Sequence, residues 1–340
     1  MDQNNNHTLK KQEESFSLAG SVAMGLVGFS LAAAGSWILY SNLAVNHHME
    51  LPEALPDTRR EYISPVAGRL SYYASQAKSG RPLVLIHSIN AAASAYELLP
   101  LFMYYRTQRP VFALDLPGFG FSDRSTRIYS PGLYEAAILD FLGSQVSEPA
   151  DVVALSLGCE FAATAALAQP ALFNSLVMIS PTGFSRSSEM RGSQKASRSG
   201  TSDMLHAAFS FPAWARPFYD FLTTRASIEF FLRRSFIGAV PLNLMDYAYV
   251  TAHQPGAENA PLYFISGKLF TPDIRQTVYE QVQVPTLVLY DRDGFTNFDH
   301  LPDLLLKNQT WQAVRLVPSL GLPQFERLED TVEVLNRFWE

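Results

Sequence analysis

The hydrophobic and polar positions fall into three regimes along the chain. From Ser15 to Met49 there is no Asp, Glu, Lys or Arg, and Leu18 to Leu39 is dominated by apolar residues. A helical run of that length crosses roughly 30 Å of hydrocarbon, so residues 18–40 are predicted to be a transmembrane helix, with Trp37 and Tyr40 suited to the headgroup layer. A cleaved signal peptide is the other reading of such a run. The acidic Glu13 and Glu14 beside Lys10 and Lys11, and the length of the apolar stretch, favour the anchor. Residues 1–17 then form a polar tail, and residues 41–59 a linker in which Pro52 and Pro56 stop the helix.

The second regime alternates short buried runs with helical periodicity. Leu83 to Ile86, Val111 to Leu114, Val152 to Leu155, Leu176 to Ile179 and Thr286 to Tyr290 read as parallel strands buried on both faces. Ala95 to Tyr105, Leu133 to Leu142, Cys159 to Ala168 and Leu328 to Phe338 carry the helical repeat. This is an α/β core, in two parts, residues 60–184 and 284–340. Between them, residues 185–283 form the third regime, predicted to be a helical cap. It opens with a Ser, Gly, Arg and Lys-rich tract to Asp203, predicted to be mobile, and continues with Phe209, Phe211, Trp214, Phe218, Phe221, Phe230 and Phe231 among arginines.

Three local patterns carry the chemistry. Val153-Ala154-Leu155-Ser156-Leu157-Gly158 ends one strand and opens the next helix, with small residues flanking the serine. Asp115-Leu116-Pro117-Gly118-Phe119-Gly120-Phe121-Ser122 follows another strand, and Asp293 ends the strand beginning at Thr286. These stretches resemble the nucleophile elbow, the D-x-P-G-x-G-x-S loop and the acid turn of the α/β-hydrolase superfamily, and the resemblance covers about residues 60–340.

It implies an α/β-hydrolase fold, a mostly parallel twisted sheet flanked by helices. It also implies Ser156 as nucleophile, Asp293 as the triad carboxylate, and the amides of Leu157 and Ile89 as oxyanion donors. Ile89 follows His87-Ser88, where Ser88 replaces the usual glycine. The triad histidine is missing from the pattern. Aligning Ser319-Leu320-Gly321-Leu322-Pro323-Gln324-Phe325-Glu326 on Pro323 and Glu326 puts Gly321 at its position and Gln324 at the next common histidine. His300 and His87 are the candidate substitute bases, with His87 read in the first place as a structural histidine that braces the loop after its strand. His206 and His253 belong to the cap, and Cys159 starts the nucleophile helix, where the helix dipole favours a thiolate.

Composition narrows the function. The 340 residues are 47% hydrophobic with a formal net charge of -6, and no basic run exceeds two residues, which excludes an electrostatic nucleic-acid footprint. The single cysteine, Cys159, forms no intrachain disulfide. No metal-ligand spacing or phosphate-cradling glycine loop occurs, so no cofactor is expected. Three functions fit. The first is a membrane-anchored serine hydrolase acting on an apolar ester or thioester with an atypical base. The second is a catalytically inactive binding or assembly protein on the same fold, and the third uses the pocket for lyase or decarboxylase chemistry. An apolar or amphiphilic substrate suits the aromatic cap. Lys10 and Lys11 ahead of the span, with Arg59 and Arg60 the first basic residues after it, place the N-terminus in the cytoplasm and the main domain on the opposite side.

Overall fold

The apolar runs form the centre of an eight-stranded sheet in a computed structural model, which describes residues 33–77, 79–146, 148–185 and 195–340. The chain divides into two units, residues 1–46 and 47–340. Of the first unit, residues 33–46 are described, and 33–44 of them are helical, α1. Most of the predicted span therefore lies outside the described residues, and among the described residues no helix is long and apolar enough to cross a membrane.

The second unit begins at His47, within the segment read as linker, and buries Ala54 and Leu55 from that segment. Its strands are β1 (Thr58–Ser64), β2 (Gly68–Ala74), β3 (Leu83–Ile86), β4 (Val111–Asp115), β5 (Ala150–Leu155), β6 (Phe173–Ile179), β7 (Thr286–Tyr290) and β8 (Trp311–Arg315), in the spatial order β1-β2-β4-β3-β5-β6-β7-β8. The first two strands run antiparallel to their neighbours, and the pairs from β4 to β8 are parallel. All six residues of β5 are buried, because helices cover both faces of the sheet centre. The five strands expected from apolar runs are present. The three others, β1, β2 and β8, carry polar residues and lack a continuous apolar run.

The core helices are α2 (Leu99–Tyr105), α3 (Pro131–Gln145) and α4 (Gly158–Ala168). The periodicity from Ala95 resolves into a 3-10 turn, Ala95–Leu98, followed by α2. Pro100 lies in the first turn of α2, where its missing N-H costs no helical hydrogen bond. The cap is helical as expected: α5 (Lys195–Phe209), α6 (Ala215–Leu222), α7 (Arg225–Leu232), α8 (Leu242–Ala252), α9 (Asn259–Ile265) and α10 (Ile274–Thr277). The tract expected to be mobile runs from Ser185 to Asp203 and is described only in part. Lys195 to Asp203 belongs to α5, while residues 186–194 lie outside the described residues. The chain closes with α11 (Leu301–Lys307), α12 (Pro323–Glu326) and α13 (Leu328–Trp339).

Candidate active site

Strand β5 delivers Ser156 to a sharp turn ahead of α4. Its φ is +52°, in the left-handed region where a non-glycine residue is strained, and its N-H donates to Ile179 O at 2.9 Å, tying the turn to β6. Two residues on, a Cβ at Gly158 would overlap the carbonyl oxygen of His87, so the close approach of α4 to the end of β3 requires glycine there. The Ser156 hydroxyl makes no hydrogen bond to any described residue. The backbone amides of Leu157, at the start of α4, and Ile89, after β3, are likewise unused as donors among the described residues, although both residues are buried.

His87 is fixed away from base chemistry. Leu116 N donates to its Nε2 at 2.9 Å, so the ring proton lies on Nδ1 and is donated to Ser88 O at 2.6 Å. The ring packs edge-on against Phe119, and burial pushes its pKa down to about 4. Its role in the structure is to brace the loop between β3 and the D-x-P-G turn. His300 precedes α11, where its Nδ1 lies 3.2 Å from Asp303 and its N-H donates to Phe184 O. Neither histidine touches the Ser156 hydroxyl, and the expectation that one of them serves it as a substitute base is not met by this geometry. In the cap, His206 lies against Tyr263, and His253 Nδ1 against Tyr249 O. The Cys159 thiol donates to Ala154 O at 3.2 Å. Its burial raises the pKa well above the ordinary thiol value, which outweighs the helix dipole and keeps it protonated.

Asp293 follows β7 in a turn capped by its own carboxylate: Oδ1 accepts from Phe295 N at 2.7 Å and Thr296 N at 3.2 Å. Burial raises its pKa and these two amides lower it, burial being the larger effect. Its other oxygen, Oδ2, has no hydrogen-bond partner among the described residues and points at Gly321. A Cβ built on Gly321 would lie 2.9 Å from Oδ2 and 3.4 Å from Ser235 Oγ of the cap. The loop bearing Gly321 is held by two carboxylates. Asp291 accepts from Arg315 Nε at 2.8 Å and Ser319 N at 3.0 Å, and Glu326 accepts from Leu320 N at 3.0 Å and from Ile237 N of the cap at 2.6 Å.

Residues 83–334 match the alpha/beta hydrolase family. The chain belongs to that family. A curated relative, the uncharacterized hydrolase YugF of Bacillus subtilis (strain 168), is 31% identical over 132 residues, which are 36% of this chain and 47% of the relative, so the chain spans about half the length of the relative it matches. Among solved structures, a serine hydrolase involved in carbazole degradation (CarC) is 17% identical with a TM-score of 0.63, covering 83% of this chain and 99% of its own. Carboxylesterase CesB of Bacillus subtilis is 17% identical with a TM-score of 0.63, covering 84% and 93%. A bacterial membrane phospholipase A is 18% identical with a TM-score of 0.62, covering 97% and 98%. At these identities the structures establish the shared fold alone.

One buried acid of this hydrolase escapes sequence reasoning. Glu160, in the first turn of α4, accepts from Thr182 Oγ1 at 2.5 Å and Thr271 N at 2.8 Å, so it ties the nucleophile helix to the end of the cap. Burial pushes its pKa up to about 7 against the pull of those hydrogen bonds. A carboxyl whose folded pKa is raised stabilises fully below its unfolded pKa, and that stability is lost as pH rises through the folded value. Stability therefore falls between about pH 4.5 and 7 on account of this group, by roughly 3 kcal/mol in order of magnitude. Asp115, pushed up to about 6 by burial, adds a loss of the same sign. The expected result is that Glu160→Gln flattens the pH dependence of the melting temperature over this interval and exceeds the parent at pH 8. Equal slopes for the two proteins in thermal melts would remove Glu160 from the account. Among the described residues no group of three or more His, Cys, Asp or Glu side chains is placed to hold a metal ion.

Proposed function

We propose that this hydrolase is a membrane-anchored serine hydrolase for an apolar ester or thioester, with Ser156 as nucleophile and the Ile89 and Leu157 amides as oxyanion donors. The observation that carries the reading is a strained serine whose hydroxyl bonds to no described residue, together with two buried amides, Leu157 next in the chain and Ile89 after β3, that donate to no described residue. Ser156 Oγ bonds to the acyl carbon while the carbonyl electron pair moves onto the oxygen that the amides face. The hydroxyl proton passes to water, since no described side chain accepts it, and the alcohol or thiol leaves with a proton from water. A second water then cleaves the acyl-serine. A resident base is typically worth 10²–10⁴-fold, so turnover is slow and activated acyl groups are favoured. The similar structures include a carboxylesterase and a membrane phospholipase A, which agrees with an ester substrate.

The uncharged run from Ser15 to Met49 supports the anchor, with the N-terminus cytoplasmic and the hydrolase unit across the membrane. Full-length protein should resist extraction by alkaline carbonate, and protease added outside should reach the hydrolase unit. Release by carbonate removes the anchor from the proposal.

The alternative, a catalytically inactive binding protein on the same fold, is favoured by one observation, the glycine opposite Asp293. Labelling with a serine-reactive phosphonate separates the two. Covalent adduct is expected on Ser156 and is expected to vanish in Ser156→Ala. An intact, ligand-accessible fold that takes no label decides for the binding protein.

A further inference from the structure

Resting on the serine-hydrolase reading above, we infer that Glu97 is a positioning residue that holds the loop Ser88–Ala92 so that the Ile89 amide faces the oxyanion. Glu97 lies in the 3-10 turn before α2, only 8% exposed, and its carboxylate gathers the oxyanion loop from behind. Oε2 accepts from Ser88 N at 2.9 Å. Oε1 accepts from Ser88 Oγ at 3.0 Å and from Asn90 Nδ2 at 2.7 Å. Asn90 Nδ2 also donates to Ser88 Oγ at 2.8 Å, and its Oδ1 accepts from Ala92 N at 2.7 Å, which fixes the orientation of that amide. Two of its partners, Ser88 N and Asn90 Nδ2, can only donate, and the Ser88 hydroxyl completes the set as a third donor. These hydrogen bonds lower the Glu97 pKa against the larger upward effect of burial.

The consequence for Ile89 follows from peptide geometry. Ser88 C=O and Ile89 N-H belong to one planar trans unit and point in opposite directions, so whatever fixes residue 88 aims the Ile89 amide. Glu97 holds the Ser88 amide and hydroxyl, while His87 Nδ1-H holds the Ser88 carbonyl. From the other side, Gln324 of α12 donates Nε2 to Glu97 O at 3.0 Å, and Tyr219 Oη of α6 donates to Ala91 O at 2.5 Å. Two departures from the superfamily pattern are thereby joined. Ser88, in place of glycine, supplies a donor, and Gln324, in place of histidine, secures the turn that carries the acceptor.

The test uses full-length protein in its detergent or membrane form and compares the parent with Glu97→Gln, Glu97→Leu, Ser88→Gly and the Ser88→Gly/Glu97→Leu pair. Two readouts are taken: the phosphonate reaction at Ser156, resolved into its first-order inactivation step and its binding constant, and amide exchange of the peptide containing residues 88–92. Removal of an aligned oxyanion donor costs 10²–10³-fold. Partial misalignment in Glu97→Leu should slow the inactivation step about tenfold to a hundredfold, with the binding constant changed less than about threefold. Glu97→Gln keeps one acceptor and should fall between, and the double variant should lose less than the sum of the single losses in log units. Exchange at residues 88–92 should rise in Glu97→Leu while that of β5 and β6 stays protected. A merely structural Glu97 would raise exchange throughout and leave the inactivation step of the folded fraction unchanged, which overturns the inference. Parental exchange and parental rates in Glu97→Leu overturn it as well. If the parent itself takes no label, the hydrolase reading fails, and the exchange of residues 88–92 alone decides whether Glu97 positions the loop.

Discussion

Gly321→His is expected to raise esterase activity on a simple activated ester by about 10²–10⁴-fold, the usual worth of a positioned general base. The backbone permits the change, because Gly321 is not among the residues with positive φ. A Cβ there lies 2.9 Å from Asp293 Oδ2, the movable end of a side chain that can yield by a torsion, and at ordinary contact distance from Ser235 Oγ. Asp293 Oδ2 is free of hydrogen bonds within the described residues, and can receive an imidazole N-H. It would then orient the ring and stabilise the imidazolium, as in a serine triad. Three controls give the result its meaning. Asp293→Asn in the same background should cancel most of the gain, Ser156→Ala should cancel all of it, and Ser235→Ala should increase it if the cap hydroxyl crowds the ring. A thermally stable Gly321→His protein with parental rates of hydrolysis and labelling would show that the pocket has diverged beyond this one residue, and would favour the binding protein.

The parts of this site legible in the sequence are those defined by short-range pattern. A strand, a small residue, Ser156, Gly158 and a helix follow one another within a few positions, and the turn at Asp293 ends its strand in the same local way. Even the facing of Gly321 and Asp293 was legible, because Pro323 and Glu326 fix the spacing and the Glu326 carboxylate holds Leu320 N. What was not legible depends on contacts between distant segments. His87 reads both as a brace for its loop and as a base, and only the amide of Leu116, 29 positions away, decides for the brace by taking its Nε2. Glu160 reads as a polar first-turn residue until Thr271, 111 positions on, encloses it. The edge strands β1 and β8 escaped for a different reason, since a strand with one polar face and one neighbour needs no run of apolar residues, and in β2 Arg69 and Ser71 interrupt the apolar positions.

Arg124 is the residue whose loss should most weaken the junction of core and cap. Its guanidinium donates from Nε and Nη2 to Gly120 O in the D-x-P-G loop, and from Nη1 and Nη2 to the carbonyl and hydroxyl of Thr251 near the end of α8. Its own carbonyl accepts from Asn259 Nδ2 of α9 at 2.8 Å. A cation at the C-terminal turn of α8 is favoured by the exposed carbonyls there. Burial draws its pKa below the ordinary arginine value while the neighbouring Tyr219 and Asp115 oppose that shift, yet a guanidinium stays charged at neutral pH. Arg124→Met keeps much of the apolar volume but takes the donor away from the Gly120 and Thr251 carbonyls at a junction that is only partly closed to solvent. Losing the hydrogen bonds of a half-buried charged group typically costs about 1.5–3 kcal/mol, which corresponds to a fall in melting temperature of roughly 5 °C for a domain of this size. Arg124→Lys should recover only part, because one ammonium cannot reproduce the planar fork that reaches both segments. Amide exchange should rise first in α8 and α9, since the cap loses its hold on the core before the central strands lose theirs. An Arg124→Met protein that melts within about 1 °C of the parent, with unchanged exchange in α8, would mean that the cap is held by its apolar contacts and by Tyr219 on Ala91 instead.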